Sequence, residues 1–222
     1  LNQYYVPYEE NGSPKKILGY YGSASTPVYN PLYNASLNTK STSNYAEVRD
    51  NFGLEWNINK DIKATARFSY TRTENGADVF YPGSHTMFAE YDANGLSDRK
   101  GRYTKTNGYY QSISADAGIN FNHTFGKHLI FANATWNISD VHTVSDTYTA
   151  EGFGNDYMDN IGFATQYLKN GKPTASDSKT REIGLIGALN YSYADRYLFD
   201  ASIRTTGSSM YGSDNRWGWF WA

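Results

Sequence analysis

The chain has 222 residues, 20 Lys+Arg against 22 Asp+Glu for a net charge of -2, and no cysteine. That balance leaves no basic field to hold nucleic acid, and the lack of thiols excludes a disulfide framework, a thiolate metal site and a cysteine nucleophile. Aromatic residues reach 17% while charged residues are only 19%, so many rings must lie at surfaces that are otherwise neutral and polar.

Residues 1–44, with Pro7, Pro14, Pro27 and Pro31 among many Asn, Ser and Tyr, predict a long loop. From 46 to 58 the chain alternates: Val48, Phe52, Leu54, Trp56 and Ile58 oppose Arg49, Asn51, Glu55 and Asn57, with Asp50 the exception. After a turn at Asn59-Lys60-Asp61, the strand 62–73 sets Ile62, Ala64, Ala66, Phe68 and Tyr70 against Lys63, Thr65, Arg67 and Ser69. The pattern returns at 109–123, turns around Thr124 to Lys127, and continues at 128–142 with Ile130, Ala132, Ala134, Trp136 and Ile138 on one face. A third pair, 181–193 and 196–206, turns at Ala194-Asp195, and Trp217, Trp219 and Trp221 begin another strand at 216–222.

The turns are short at one end of these hairpins, whereas the other connections, 73–108 and 143–179, are very long. Such asymmetry predicts an all-β fold: an antiparallel transmembrane β-barrel segment with tight periplasmic turns and extended extracellular loops. No run approaches the ~20 apolar residues of a membrane helix, but barrel strands show lipid only every second side chain. Trp56, Phe121, Tyr193 and Tyr197 near the short turns, with Tyr70 and Tyr109 at the other rim, predict two aromatic girdles. Six full strands leave open edges that lipid does not tolerate, so the expectation is a piece of a larger barrel: 1–44 an extracellular loop, 45–222 a partial barrel. The polar faces place Arg49, Glu55, Lys63, Arg67, Asp116, Asp200 and Arg204 toward a lumen.

Loop rings, Tyr81, Tyr91 and Tyr157 foremost, are candidate stacking partners for a substrate, against the plainer reading that loop aromatics pack on one another. Asp92, Asn94 and Asp98 faintly suggest a calcium loop but lack the terminal Glu of an EF-hand. Glu151, Asp156 and Asp159 form a second acidic stretch, and His123 and His128 bracket one turn without a third ligand. No metal, no cofactor and no catalytic residue is expected: Ser208 and Ser209 have no readable His and Asp partners. A soluble secreted β-rich module, carbohydrate-binding or adhesive, is the alternative that alternation alone also allows.

The run Asn190-Tyr-Ser-Tyr-Ala-Asp195-Arg196-Tyr197-Leu, followed by Arg204, Gly207-Ser208-Ser209, Gly212 and Arg216-Trp217-Gly218, resembles the SusC/RagA family of TonB-dependent outer-membrane transporters of Bacteroidetes. Asn30-Pro-Leu-Tyr33 also resembles the family, whereas Thr206 stands where an Asp is usual. The resemblance implies a parent several times longer, with a plug that this chain lacks and a barrel of about 22 strands in the cell outer membrane. It further implies no enzymatic activity but import of glycans or oligopeptides for nutrient uptake. The implied partners are a SusD-like surface lipoprotein, a TonB-ExbB-ExbD complex engaged through the missing N-terminal part, and outer-membrane lipid.

Overall fold

Alternating sequence becomes strand, and the strands outrun the alternation. The computed structural model describes residues 5–22, 26–212 and 216–222. Near the start, β1 (Ile17–Tyr21) and β2 (Thr26–Tyr29) form a separate antiparallel pair, and α1 (Pro31–Ala35) is one short helix. Asn30 caps it: Oδ1 accepts the Leu32 amide at 3.1 Å while Nδ2 donates to the Pro7 carbonyl at 2.8 Å. Pro31 at the first helical position gives up no donor that the helix needs. The segment 1–44 therefore carries a hairpin and a capped turn where a plain loop was expected; its residues 1–4 and 23–25 lie outside the described residues.

The main sheet contains β3 (Lys40–Asn57), β4 (Ile62–Tyr81), β5 (Arg102–Phe125), β6 (His128–Glu151), β7 (Gln166–Tyr167), β8 (Thr174–Tyr193), β9 (Tyr197–Ser208) and β10 (Trp217–Trp221). Its order is β10-β9-β8-β6-β5-β4-β3, with the two-residue β7 paired to β6. The three expected hairpins are all present. The long connections shrink to 82–101 and 152–173, because strand pairing continues where apolar alternation has stopped. Cross-strand threonines show why: Thr104 meets Thr149 and Thr106 meets Thr147, each at 3.2 Å, so polar side chains sustain the pairing.

Each short turn has a local cause. Asn59 Oδ1 accepts the amides of Asp61 and Ile62 at 2.8 and 2.9 Å. Gly126 takes a positive φ of 61° between β5 and β6, a conformation that a Cβ penalises. Between β8 and β9, Ala194 and Asp195 both have positive φ, 53° and 55°, and the Arg196 amide closes on the Tyr193 carbonyl at 3.1 Å, as in a primed hairpin turn.

The chain divides into two compact units. The first comprises residues 1–44, 75–107 and 145–175; the second comprises 45–74, 108–144 and 176–222. The first holds a buried cluster of Phe80, Tyr103 and Phe153 with Ile161 and Ala164 packed against it. The second is a sheet whose large apolar side chains stay open: Phe52 is 68% exposed, Trp56 61% and Trp219 66%.

Candidate functional site

In the second unit the two faces differ in chemistry, and side-chain contacts establish which residues share a face. Lys63 pairs with Glu55 at 2.7 Å and Arg67 with Asp116 at 3.1 Å. Arg49 pairs with Glu47 at 3.1 Å, and Glu47 also accepts from Thr73 Oγ1 at 3.0 Å. Asn190 donates to Asp200 at 2.5 Å, across a pair that is directly opposed in the β8–β9 register, and Arg204 donates to Thr206 at 3.2 Å. With side chains alternating along each strand, the seven residues read as lumen-facing fall on one polar face. Ile186, opposite Arg204, interrupts it with an apolar side chain, as do Leu198 and Phe220 and, at the start of β6, Leu129 and Phe131. The opposite face carries Leu54, Trp56, Ala64, Ala66, Ala117, Ile119, Ala134, Trp136 and Leu185, which line a shallow depression of ≈ 410 Å³.

At the short-turn end the apolar face closes in rings. His123 lies between Phe121 and Phe125, 6.2 and 4.0 Å centroid to centroid, and its Nδ1 meets Asp61 at 2.9 Å. His128 meets the Tyr191 hydroxyl at 2.7 Å and packs beside Tyr193. The two histidines thus have separate partners, and each adds a polar tip to an aromatic belt.

In the first unit, the three candidate tyrosines do not converge. Tyr81 packs edge-on to His85 at 5.1 Å; burial lowers the His85 pKa, and its Nδ1 accepts the Met87 amide at 3.2 Å. Tyr91 packs on Phe88 at 5.1 Å and its hydroxyl accepts from Arg102 at 3.3 Å. Tyr157 is 80% exposed. Phe80, Phe88, Tyr103 and Phe153 are buried, so these rings fold the long connections, as the plainer reading of loop aromatics held. Tyr103 donates to Asp78 Oδ1 at 2.8 Å, and burial, reinforced by that bond, pushes its phenol up to about 12.

The acidic stretches resolve into separate contacts. Lys100 places its ammonium on Asp92; that bond and one from Ser97 hold the carboxylate below its usual pKa. The Asp92 carboxylate is thus neutralised by a side-chain cation. Asp156 Oδ1 accepts the Ser84 amide at 3.0 Å, and Asp159 reaches Lys40 at 4.0 Å. Glu151 is buried, and takes Arg99 at 3.1 Å and Arg102 at 2.8 Å. Sequence reading missed both arginines, because nothing in Arg99 and Arg102 distinguishes them from other loop cations until folding brings residue 151 beside them. It also missed a concavity of ≈ 500 Å³ lined by Tyr148, Ala150, Ile161, Gly162, Ala164, Thr165, Gln166 and Tyr167.

The motif residues prove to be builders of the β8–β9–β10 end of the sheet. Tyr197 stacks on Tyr193, 6.4 Å apart, across the turn that Asp195 and Arg196 make. Gly207 pairs with Trp217, and a Cβ on it would stand 3.1 Å from the indole. Gly218 lies opposite Thr206, and the Ser208 amide donates to the Arg216 carbonyl at 3.1 Å. Ser209 Oγ accepts the Arg181 amide at 2.9 Å. Nothing lies within 4 Å of the position a Cβ would take on Gly212.

A long antiparallel sheet with one apolar and one charged face, short turns at one end and long connections at the other defines a segment of an outer-membrane β-barrel. Solved structures agree: the RagAB peptide transporter superposes with a TM-score of 0.78 at 18% identity, covering 100% of this chain and 24% of that one. The RagAB peptide importer in its open-open state gives 0.72, covering 98% and 23%. In sequence, the chain is 33% identical over 104 residues to the TonB-dependent receptor P39 of Formosa agariphila, covering 46% of this chain and 10% of that protein. It is 45% identical over 47 residues to the TonB-dependent receptor SusC of Bacteroides thetaiotaomicron, covering 21% and 5%. No family model matches the chain. These relatives agree with the resemblance read from the motif: the chain is similar to part of the barrel of TonB-dependent receptors of the SusC/RagA kind.

Proposed function

We propose that this segment is part of the barrel wall of a TonB-dependent outer-membrane importer that takes up glycans or oligopeptides. The observation that carries the reading is the segregation of the two faces across adjacent strands. Ion pairs Lys63–Glu55 and Arg67–Asp116 occupy one face, while Trp56, Ala66, Ala117 and Trp136 occupy the other. An apolar face this exposed suits lipid, and charges of both signs on the opposite face suit a lumen filled by a plug held through hydrogen bonds and ion pairs.

The barrel wall does no covalent chemistry in this reading. Energy comes from a TonB-ExbB-ExbD complex acting on parts of the parent outside this chain, and a SusD-like lipoprotein presents substrate at the long connections. Tyr81, Tyr91 and Tyr157 remain proposed contacts there, with Tyr157 the most accessible. The test is fractionation of source cells, probed with antibody to this segment. A band several times larger than 222 residues, in the outer membrane and copurifying with a lipoprotein, is the expected result. A band of segment size in the soluble fraction would refute the importer.

A further inference from the structure

Alternation on the apolar face does not stop where the apolar residues stop. Along β8, Leu185 and Ile183 are succeeded on the same face by Arg181, Lys179 and Asp177; along β6, Trp136 and Ile138 by Asp140 and His142; along β4, Phe68 and Tyr70 by Arg72. Contacts knit these ends into one row. Arg72 donates to Gln111 at 3.0 Å and lies 4.3 Å over the Tyr109 ring, Tyr109 meets His142 Nδ1 at 3.2 Å, and His142 Nε2 meets Asp177 at 2.7 Å. Asp140 takes Arg181 Nε at 2.8 Å and Lys179 at 3.4 Å.

We propose that this row binds a phosphate-bearing lipid headgroup, seated on Arg181 and Lys179 of β8. The inference rests on the reading that the apolar face meets lipid. Two cations share the single Asp140 carboxylate, while the other acid of this corner, Asp177, is turned to His142. Arg181 commits Nε to Asp140, and among the described residues its two Nη groups have no partner. Its side chain is 67% exposed and that of Lys179 42%. A guanidinium edge and a nearby ammonium match a phosphate in shape and charge.

The site is fixed in place and continuous with a seat for acyl chains. Both backbone groups of Arg181 are held by Ser209, amide to Oγ and carbonyl to amide, each at 2.9 Å. Four residues along β8, about 13 Å of strand, Leu185 enters the depression floored by Ala64, Ala66, Ala117 and Ala134. A headgroup at Arg181 thus places its chains over that trough.

The test uses the full-length parent, extracted from the outer membrane, delipidated in detergent and titrated with diphosphorylated lipid A under native mass spectrometry. The same glycolipid stripped of phosphate, and inorganic phosphate alone, are run beside it. Retention of the phosphorylated lipid is expected to exceed that of the stripped one. It should fall about fivefold in Lys179→Gln or Arg181→Gln and about thirtyfold in the double variant, from the weight of single basic residues at an anionic surface. Equal retention of the two lipids by the unaltered protein overturns the site without any variant. Millimolar inorganic phosphate displacing the lipid would overturn it in favour of a free-anion site. A parent absent from the membrane fraction overturns the underlying lipid-facing reading as well, whereas a membrane-inserted parent indifferent to phosphate overturns the headgroup site alone.

Discussion

Ala66→Arg should prevent assembly of the parent barrel, whereas Thr65→Arg, one residue away, should not. Ala66 is the third of five apolar-face positions on β4, from Ile62 to Tyr70. Those positions span eight residues, about 27 Å of strand, or about 20 Å of depth at a tilt near 40°. Ala66 therefore sits near mid-depth, where an arginine facing lipid costs about 2–4 kcal/mol. Thr65 belongs to the face that holds Glu55 and Asp116, each already paired with a cation at 2.7 and 3.1 Å. An arginine added there meets water and acidic neighbours, for a change within about 1 kcal/mol. The difference, at least ~1 and up to ~5 kcal/mol, corresponds to roughly fivefold to several thousandfold in the folded-to-unfolded ratio. Urea titration of the parent refolded into lipid vesicles, read by heat-modifiable gel mobility, measures it. Equal effects at 65 and 66 would refute the assignment of faces.

Two further outcomes concern the first unit. Glu151→Gln leaves Arg99 and Arg102 facing a neutral amide; removing one member of a buried ion pair costs about 3–5 kcal/mol. The arginine side chains are 20% and 27% exposed and can recover some hydration, so about 2–3 kcal/mol is expected. Hydrogen exchange at Lys169, whose amide donates to Glu151 at 3.4 Å, should accelerate between ~30- and ~150-fold, and unchanged exchange would contradict the clamp. The Tyr103 phenol, raised to about 12 in the fold against about 10 in an unfolded chain, contributes stability that is intact below pH 10. That stability falls as pH rises from 10 through 12, because the unfolded state releases the proton first. The difference in phenolate absorbance between the parent and Tyr103→Phe should accordingly appear near pH 12, and its appearance near 10 would contradict the buried bond to Asp78.

Which residues share a face was readable from alternation because the pleat imposes a period of two regardless of what surrounds it. The turn at Ala194-Asp195, the cap at Asn30 and the pairing of three hairpins followed for similar reasons: each depends on neighbours within a few positions. Strand ends were misjudged where both faces become polar, as along Thr104 and Thr106, because a hydrogen-bonded ladder needs no apolar residue to continue. The loop site was least readable. Tyr81, Tyr91 and Tyr157 look alike in sequence, yet one packs on a histidine, one is held by an arginine and one stands in solvent.

The sequence by itself determined where the strands lie within the apolar band, the two chemistries of the sheet's faces and the kind of barrel they resemble, since these rest on local periodicity and a contiguous motif. Only the tertiary structure decided that Glu151 is clamped by Arg99 and Arg102, that Phe80, Tyr103 and Phe153 form the core of the long connections, and that Asp140 gathers Lys179 and Arg181. Those contacts join residues about 25 to 75 positions apart, and charge or ring partners at such separations are selected by strand register and loop closure, which no local pattern encodes.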